Sequence, residues 1–115
     1  MIPKLLFLLL IGITAPAYAD DQLDQQIQQL LDQVSTSNCS FVRNGKMHTS
    51  SEGVEHINRK YAHYEKDIDS IDSFIELTAT KSLFTGKEYQ VECGGQVMSS
   101  ADWMHRKATE LGLQS

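Results

Sequence analysis

The chain has 115 residues and a formal net charge of −5 at pH 7, with 10 Lys and Arg against 15 Asp and Glu. That length holds one conventional domain, and that charge disfavours nucleic acid and anionic lipid as partners for the molecule as a whole.

The first elements concern export. Met1-Ile2-Pro3-Lys4 carries one positive charge, an apolar stretch runs from Leu5 to Ile13, and small residues follow from Ala15 to Ala19. This order predicts a secretory signal peptide over residues 1–19 with cleavage after Ala19. The apolar run is too short for a stable membrane anchor, and Pro16 is expected to break any helix continuing into Asp20-Asp21. Residues 20–115 are then a single small exported domain with no membrane anchor after cleavage. Loss of Lys4 with the leader makes the mature chain more negative by a single charge.

Leu23, Ile27, Leu30, Leu31 and Val34 lie on one face of a helix predicted over Asp21 to Ser35. Asp20 or Asp21 is its expected cap. Cys39 to Arg43 reads as a short strand, Asn44-Gly45 as a two-residue hairpin turn, and Lys46 to His48 as the return strand. Thr49 with Glu52 forms a capping box for a second helix to about Glu65 carrying Val54, Ile57, Tyr61 and Tyr64, with Gly53 weakening its first turn. A third helix is predicted from near Ser70, with Ile71, Phe74, Ile75 and Thr78 on its apolar face.

Thr85-Gly86-Lys87 marks a turn, after which Tyr89, Val91 and Cys93 alternate with polar residues as a half-buried strand. Gly94-Gly95 turns this strand into Gln96-Val97-Met98. Ser99 or Ser100 caps a last helix with Trp103, Met104, Ala108 and Leu111, ended by Gly112. The expected fold is α+β: one small antiparallel sheet made from two β-hairpins and packed against about four helices.

Cys39 and Cys93 are the two cysteines, and an exported chain meets an oxidising compartment, so a disulfide between them is expected. Closing that loop is worth roughly 4 kcal/mol in the chain-entropy model. The pair lacks the C-x-x-C spacing of redox-active thiols.

In this order, the strings F-V-R-N-G at Phe41 to Gly45, H-I-x-x-K at His56 to Lys60, I-D-S at Ile68 to Ser70, and Phe74-Ile75 form a recognisable set. T-G-K-x-Y at Thr85 to Tyr89, Cys93, and S-A-D-W at Ser100 to Trp103 complete it. The ordered set resembles the YfeK-like family of small exported bacterial proteins of unknown function, over roughly residues 38 to 105. The resemblance implies a signal peptide and a Gram-negative periplasmic address; it implies no activity. The chain departs from the family's serine-rich approach to the T-G-K turn, having Lys81-Ser82-Leu83-Phe84 there.

Arg43, Asn44, His56, Lys60, Thr85, Gly86, Lys87 and Tyr89 are the candidate binding residues. If the hairpins pair, Arg43, Lys60 and Lys87 offer a cationic face to a carboxylate, phosphate or sugar. The competing account is structural: Asn44-Gly45 and Gly86 make turns, His56 is a hydrogen-bonded core histidine, and Arg43 pairs with Glu88 or Glu92 on a nearby strand.

No cofactor or metal is expected, because His56 and His63 stand about 10 Å apart along their helix and no ligand spacing brings in His48 or His105. No G-x-S-x-G string selects a hydrolytic serine. The expected function is therefore non-enzymatic binding of an envelope ligand or protein. A small envelope hydrolase acting on cell-wall fragments is one alternative. A lysozyme-type inhibitor, suggested by the likeness of Thr85-Gly86-x-x-Tyr89 to an inhibitor loop, is the other.

Overall fold

The computed structural model describes residues 15–113, with side chains described from Asp21 onward. Most of the expected leader, residues 1–14, therefore lies outside the described residues. The architecture is α+β. Helix α1 spans Ala15–Thr36, strands β1 Ser40–Arg43 and β2 Lys46–His48 form a hairpin, and helices α2 Ser50–Tyr64 and α3 Ile71–Thr78 follow. Strands β3 Gln90–Cys93 and β4 Gln96–Ser99 form the second hairpin before helix α4, Ser100–Glu110.

Helix α1 begins earlier than its amphipathic pattern predicts, and Pro16 does not break it. The helical stretch described from Ala15 runs without interruption through Pro16 to Thr36. Asp20 and Asp21 are accordingly interior to the helix and do not cap it. Among the described residues no helix is long and apolar enough to cross a membrane.

Local chemistry accounts for the remaining boundaries. Asn44 and Gly45 have φ of 52° and 79°, and Gly94 and Gly95 have 56° and 84°, which are the paired positive values of a type I′ turn. Thr49 caps α2 through a complete capping box with Glu52, and Ser70 caps α3 through a box in which Ser73 takes the place of the usual acid. Between them α2 tightens into a 3-10 turn over Glu65–Asp67. Ser99, of the two serines expected, caps α4. The far end of α4 closes as a Schellman motif, with Leu113 N–H donating to the Ala108 carbonyl and Gly112 N–H to that of Thr109.

The two hairpins join in one antiparallel sheet of order β2-β1-β3-β4. Phe41 lies opposite Val91 in the central β1–β3 pair, and Ser40 opposite Glu92. One step further along that register Cys39 faces Cys93, and the two are bonded with 4.7 Å between their Cα atoms. Helix α2 lies on the β1–β2 half of the inner face and α4 on the β3–β4 half, while α1 and α3 pack against these helices.

The core follows from the apolar stripes. Ile27, Leu30 and Val34 of α1 and Phe74 and Ile75 of α3 are wholly buried. Phe41 from the sheet meets Trp103 of α4 edge-on, with ring centroids 5.7 Å apart. Gly53, expected only to weaken α2, has a packing role. A Cβ at this position would come within 3.2 Å of the Phe41 ring, so glycine lets the helix settle on the sheet.

Two measurements test this frame. Replacing Cys39 and Cys93 by serine is expected to lower the unfolding free energy by about 2–4 kcal/mol, read as a lower urea midpoint. A side chain at Gly53 overfills the contact with Phe41, so Gly53→Val should cost about 1–3 kcal/mol in the same assay. An unchanged midpoint in either variant contradicts the corresponding contact.

Candidate functional site

Phe41 of β1 faces Val91 of β3 across the ladder; at one end Cys39 and Cys93 are bonded, and at the other lie Arg43, the last residue of β1, and Tyr89, just before β3. The last of these pairs is polar. Above it lies one face of α2, where Gly53 sits over Phe41, and His56 and Lys60 follow at helical spacing. The end of β1, one face of α2 and the residue before β3 therefore bring Arg43, His56, Lys60 and Tyr89 to one place.

Their hydrogen bonds are directional. Arg43 Nη1 lies 3.2 Å from His56 Nδ1, and His56 Nε2 lies 3.1 Å from the Tyr89 hydroxyl. A guanidinium can only donate, so Nδ1 accepts and Nε2 carries the proton that is donated to Tyr89. Lys60 Nζ also donates to the Tyr89 hydroxyl at 3.3 Å and to the Lys81 carbonyl at 3.1 Å, with its ammonium 5.0 Å from the Tyr89 ring centre. The Tyr89 oxygen thus accepts two hydrogen bonds. Its own O–H has no acceptor among the described residues.

Electrostatics agree with that proton arrangement. Burial, then the charges of Arg43 and Lys60, push the His56 imidazolium down to about 4, so His56 is neutral at physiological pH. Burial and then Arg43 lower the Lys60 ammonium. Burial raises the Tyr89 phenol, against an opposing pull from Arg43, which keeps the hydroxyl a donor. The His56 and Tyr89 rings meet edge-on with centroids 5.4 Å apart, holding the imidazole in place.

A cavity of about 250 Å3 opens beside this cluster. Arg43, His56 and Tyr89 line its polar side, and Phe41, Ile57 and Ala79 its apolar side. Glu52 and Glu55 also border it, but Glu52 is taken up by the α2 cap and His48, and Glu55 lies 3.9 Å from Arg59.

The expected ion pair of Arg43 with Glu88 or Glu92 does not form, and neither Arg43 nor Lys60 has a carboxylate within bridging distance among the described residues. Glu88 and Glu92 alternate with Tyr89 and Val91 and so project from the opposite face of the sheet.

The remaining candidate residues lie around this group. Asn44 Oδ1 accepts from Thr85 Oγ1 at 2.7 Å, tying the first hairpin turn to the loop before β3. Gly86 donates its N–H to the Ser82 carbonyl and closes that loop. Lys87 stays outside the cluster, lining a separate shallow depression with Asn44 and Gln90.

Among the described residues both ring nitrogens of His56 are engaged, by Arg43 and by Tyr89. Among the described residues no three of His, Cys, Asp and Glu gather closely enough to hold a metal ion. Tyr89 lies buried at the root of the 81–88 loop, while Leu83 and Phe84 occupy its tip and Thr85 to Glu88 are exposed.

Known sequences share this framework. Residues 21–112 match the model of a family of unknown function, DUF5329. The chain belongs to that family. It is 32% identical over 80 residues to the uncharacterized protein YfeK of Salmonella typhimurium strain LT2, a match covering 67% of each chain. The DUF5329 match takes in most of α1, which lies outside the motifs that carry the resemblance to the YfeK-like family. No solved structure matches the chain.

The neutral His56 makes a pH prediction. Its folded pKa is depressed, so the stability it contributes is fully present above about 6.5 and is lost as pH falls from there towards about 4, where the folded form also takes up the proton. His56→Gln keeps a neutral acceptor and donor. The difference in urea midpoint between wild type and His56→Gln should therefore shift in favour of the variant as pH drops through this window; a constant difference contradicts the buried neutral histidine.

Proposed function

We propose that this member of DUF5329 is an exported, non-enzymatic binding domain, and that the Arg43–His56–Tyr89–Lys60 cluster takes an anionic group of an envelope ligand or protein. One observation carries the reading: two half-buried cations and a spare Tyr89 O–H gather around a neutral histidine with no carboxylate to balance them. Partly desolvated positive charge without a counter-ion is costly for a fold, and an arriving carboxylate or phosphate oxygen satisfies both the charge and the unused donors.

The apolar wall of Phe41, Ile57 and Ala79 suits a ligand that carries hydrocarbon next to its anionic group. Export is supported by the order of residues in the leader and by a disulfide that fits an oxidising compartment.

The test uses simple anions as probes. Titrating acetate or inorganic phosphate into the protein should shift the His56 and Tyr89 ring resonances in a saturable way. Arg43→Ala combined with Lys60→Ala should weaken that response by roughly 10- to 100-fold, the loss expected for charge-assisted hydrogen bonds. Tyr89→Phe should weaken it less. Ring resonances in the wild type that stay put under both anions exclude an anion site here.

A further inference from the structure

The loop before β3 does something the core does not require. Lys81 pairs with Glu88 as an isolated bridge, and between them the chain turns back on itself. Ser82 N–H donates to the Lys87 carbonyl, the Ser82 hydroxyl accepts from the N–H groups of Phe84 and Thr85, and Thr85 is bonded to Asn44. This bracing holds out two apolar side chains. Phe84 is 99% exposed and Leu83 68% exposed.

A fully exposed phenylalanine on a loop fixed by its own hydrogen bonds is a preformed anchor, since little entropy remains to be lost when it docks. The ground around it is basic. Lys81 stands at the root of the loop and Lys87 on its returning limb, two lysines against the single Glu88.

The complementary surface is on the same chain, on the other side of α2. A broad cleft of about 710 Å3 lies between α1 and the C-terminal end of α2, with Leu23, Tyr61 and Ile68 as its apolar lining. Its rim carries Asp21, Asp24, Glu65 and Asp69 against one cation, Lys66. Tyr61 senses that field: burial, its hydrogen bond to Asp24 and the charges of Asp24 and Glu65 push its phenol up to about 12.

We propose that two copies of this chain associate by seating the Leu83–Phe84 tip of one, with its flanking lysines, in the acid-rimmed apolar cleft between α1 and α2 of the other. Hydrophobic anchor meets apolar floor and basic collar meets acidic rim, the complementarity that steers and fixes an interface. Tip and cleft lie on different sides of α2, so the contact is heterologous and joins copies head to tail. The proposal does not depend on the anion site, because neither Arg43 nor His56 lies at the tip or in the cleft.

Sedimentation velocity on protein purified after expression of the full sequence tests it. The wild type should associate with rising concentration, and Phe84→Ser should weaken this by roughly 10- to 100-fold, the loss expected when one phenylalanine is no longer buried. Lys81→Glu with Lys87→Glu should abolish self-association. Mixing that variant with Asp21→Lys/Glu65→Lys protein should restore a complex by reversing both charge sets. Arg43→Ala should leave association intact, so failure of the anion site and failure of this interface are told apart. A wild type that remains monomeric to about 1 mM, the weak end of specific binding, overturns the proposal. So does association that persists unchanged in Phe84→Ser, or a charge-swapped mixture that stays apart.

Discussion

The antiparallel register of β1 against β3 is the constraint on which the rest of this molecule depends. That alignment faces Phe41 with Val91, with the Cys39–Cys93 bond at one end and Arg43 and Tyr89 at the other, placing a covalent bond, a core contact and a polar site in succession. Side chains alternate with a period of two, so a slip of one residue would send Phe41 and Arg43 to solvent and bring Val42 inward. The disulfide excludes such a slip. It restrains the unfolded chain and also pins, at one end of the ladder, the alignment that sets the site at the other.

The second constraint is the approach of α2. Gly53 lets the helix lie close over Phe41, and from that contact His56 and Lys60 reach the Arg43–Tyr89 pair at the next turns. Burial beside two cations disfavours a proton on His56, leaving its Nδ1 free to accept from Arg43 and its Nε2–H to donate to Tyr89. Tautomer, charge state and hydrogen-bond direction thus have one cause. A carboxylate beside Arg43 would offset that burial; both cations stay half-buried without one among the described residues.

Much of the frame is legible in the sequence because it rests on local chemistry. Asn44-Gly45 and Gly94-Gly95 permit the φ values the hairpins need, Thr49 and Glu52 satisfy free helix N–H groups, and the Tyr89-Val91-Cys93 alternation matches the sheet period. The cysteine pairing follows from there being two of them. The surroundings of Arg43 are not legible, because proximity of strands does not specify a face, and Glu88 and Glu92 lie on the wrong one. Gly53 misleads because a glycine in a helix shows its propensity cost in sequence and its packing gain only against Phe41. Pro16 misleads because the helix described from Ala15 to Thr36 runs through it without a break. As for the site, its residues are identifiable but their convergence is not: Lys87 lines a separate depression, and Tyr89 becomes the hub because His56 and Lys60 of α2 both reach its hydroxyl, a tertiary fact.

The charge pattern joins these features. A chain with an excess of acids collects Arg43, Lys60, Lys81 and Lys87 at one edge and Asp21, Asp24, Glu65 and Asp69 at another, and α2 is the divide. Lys60 and Tyr61 are neighbours in sequence, yet one donates to Tyr89 and the other to Asp24, on different sides of the same helix. Rotating α2 about its axis would disrupt both edges together, and what prevents rotation is the Gly53–Phe41 contact and Ile57 buried beneath it. A small domain with little surface to spare therefore obtains two opposed electrostatic faces from one helix, set by the same close packing that aligns the sheet stripe.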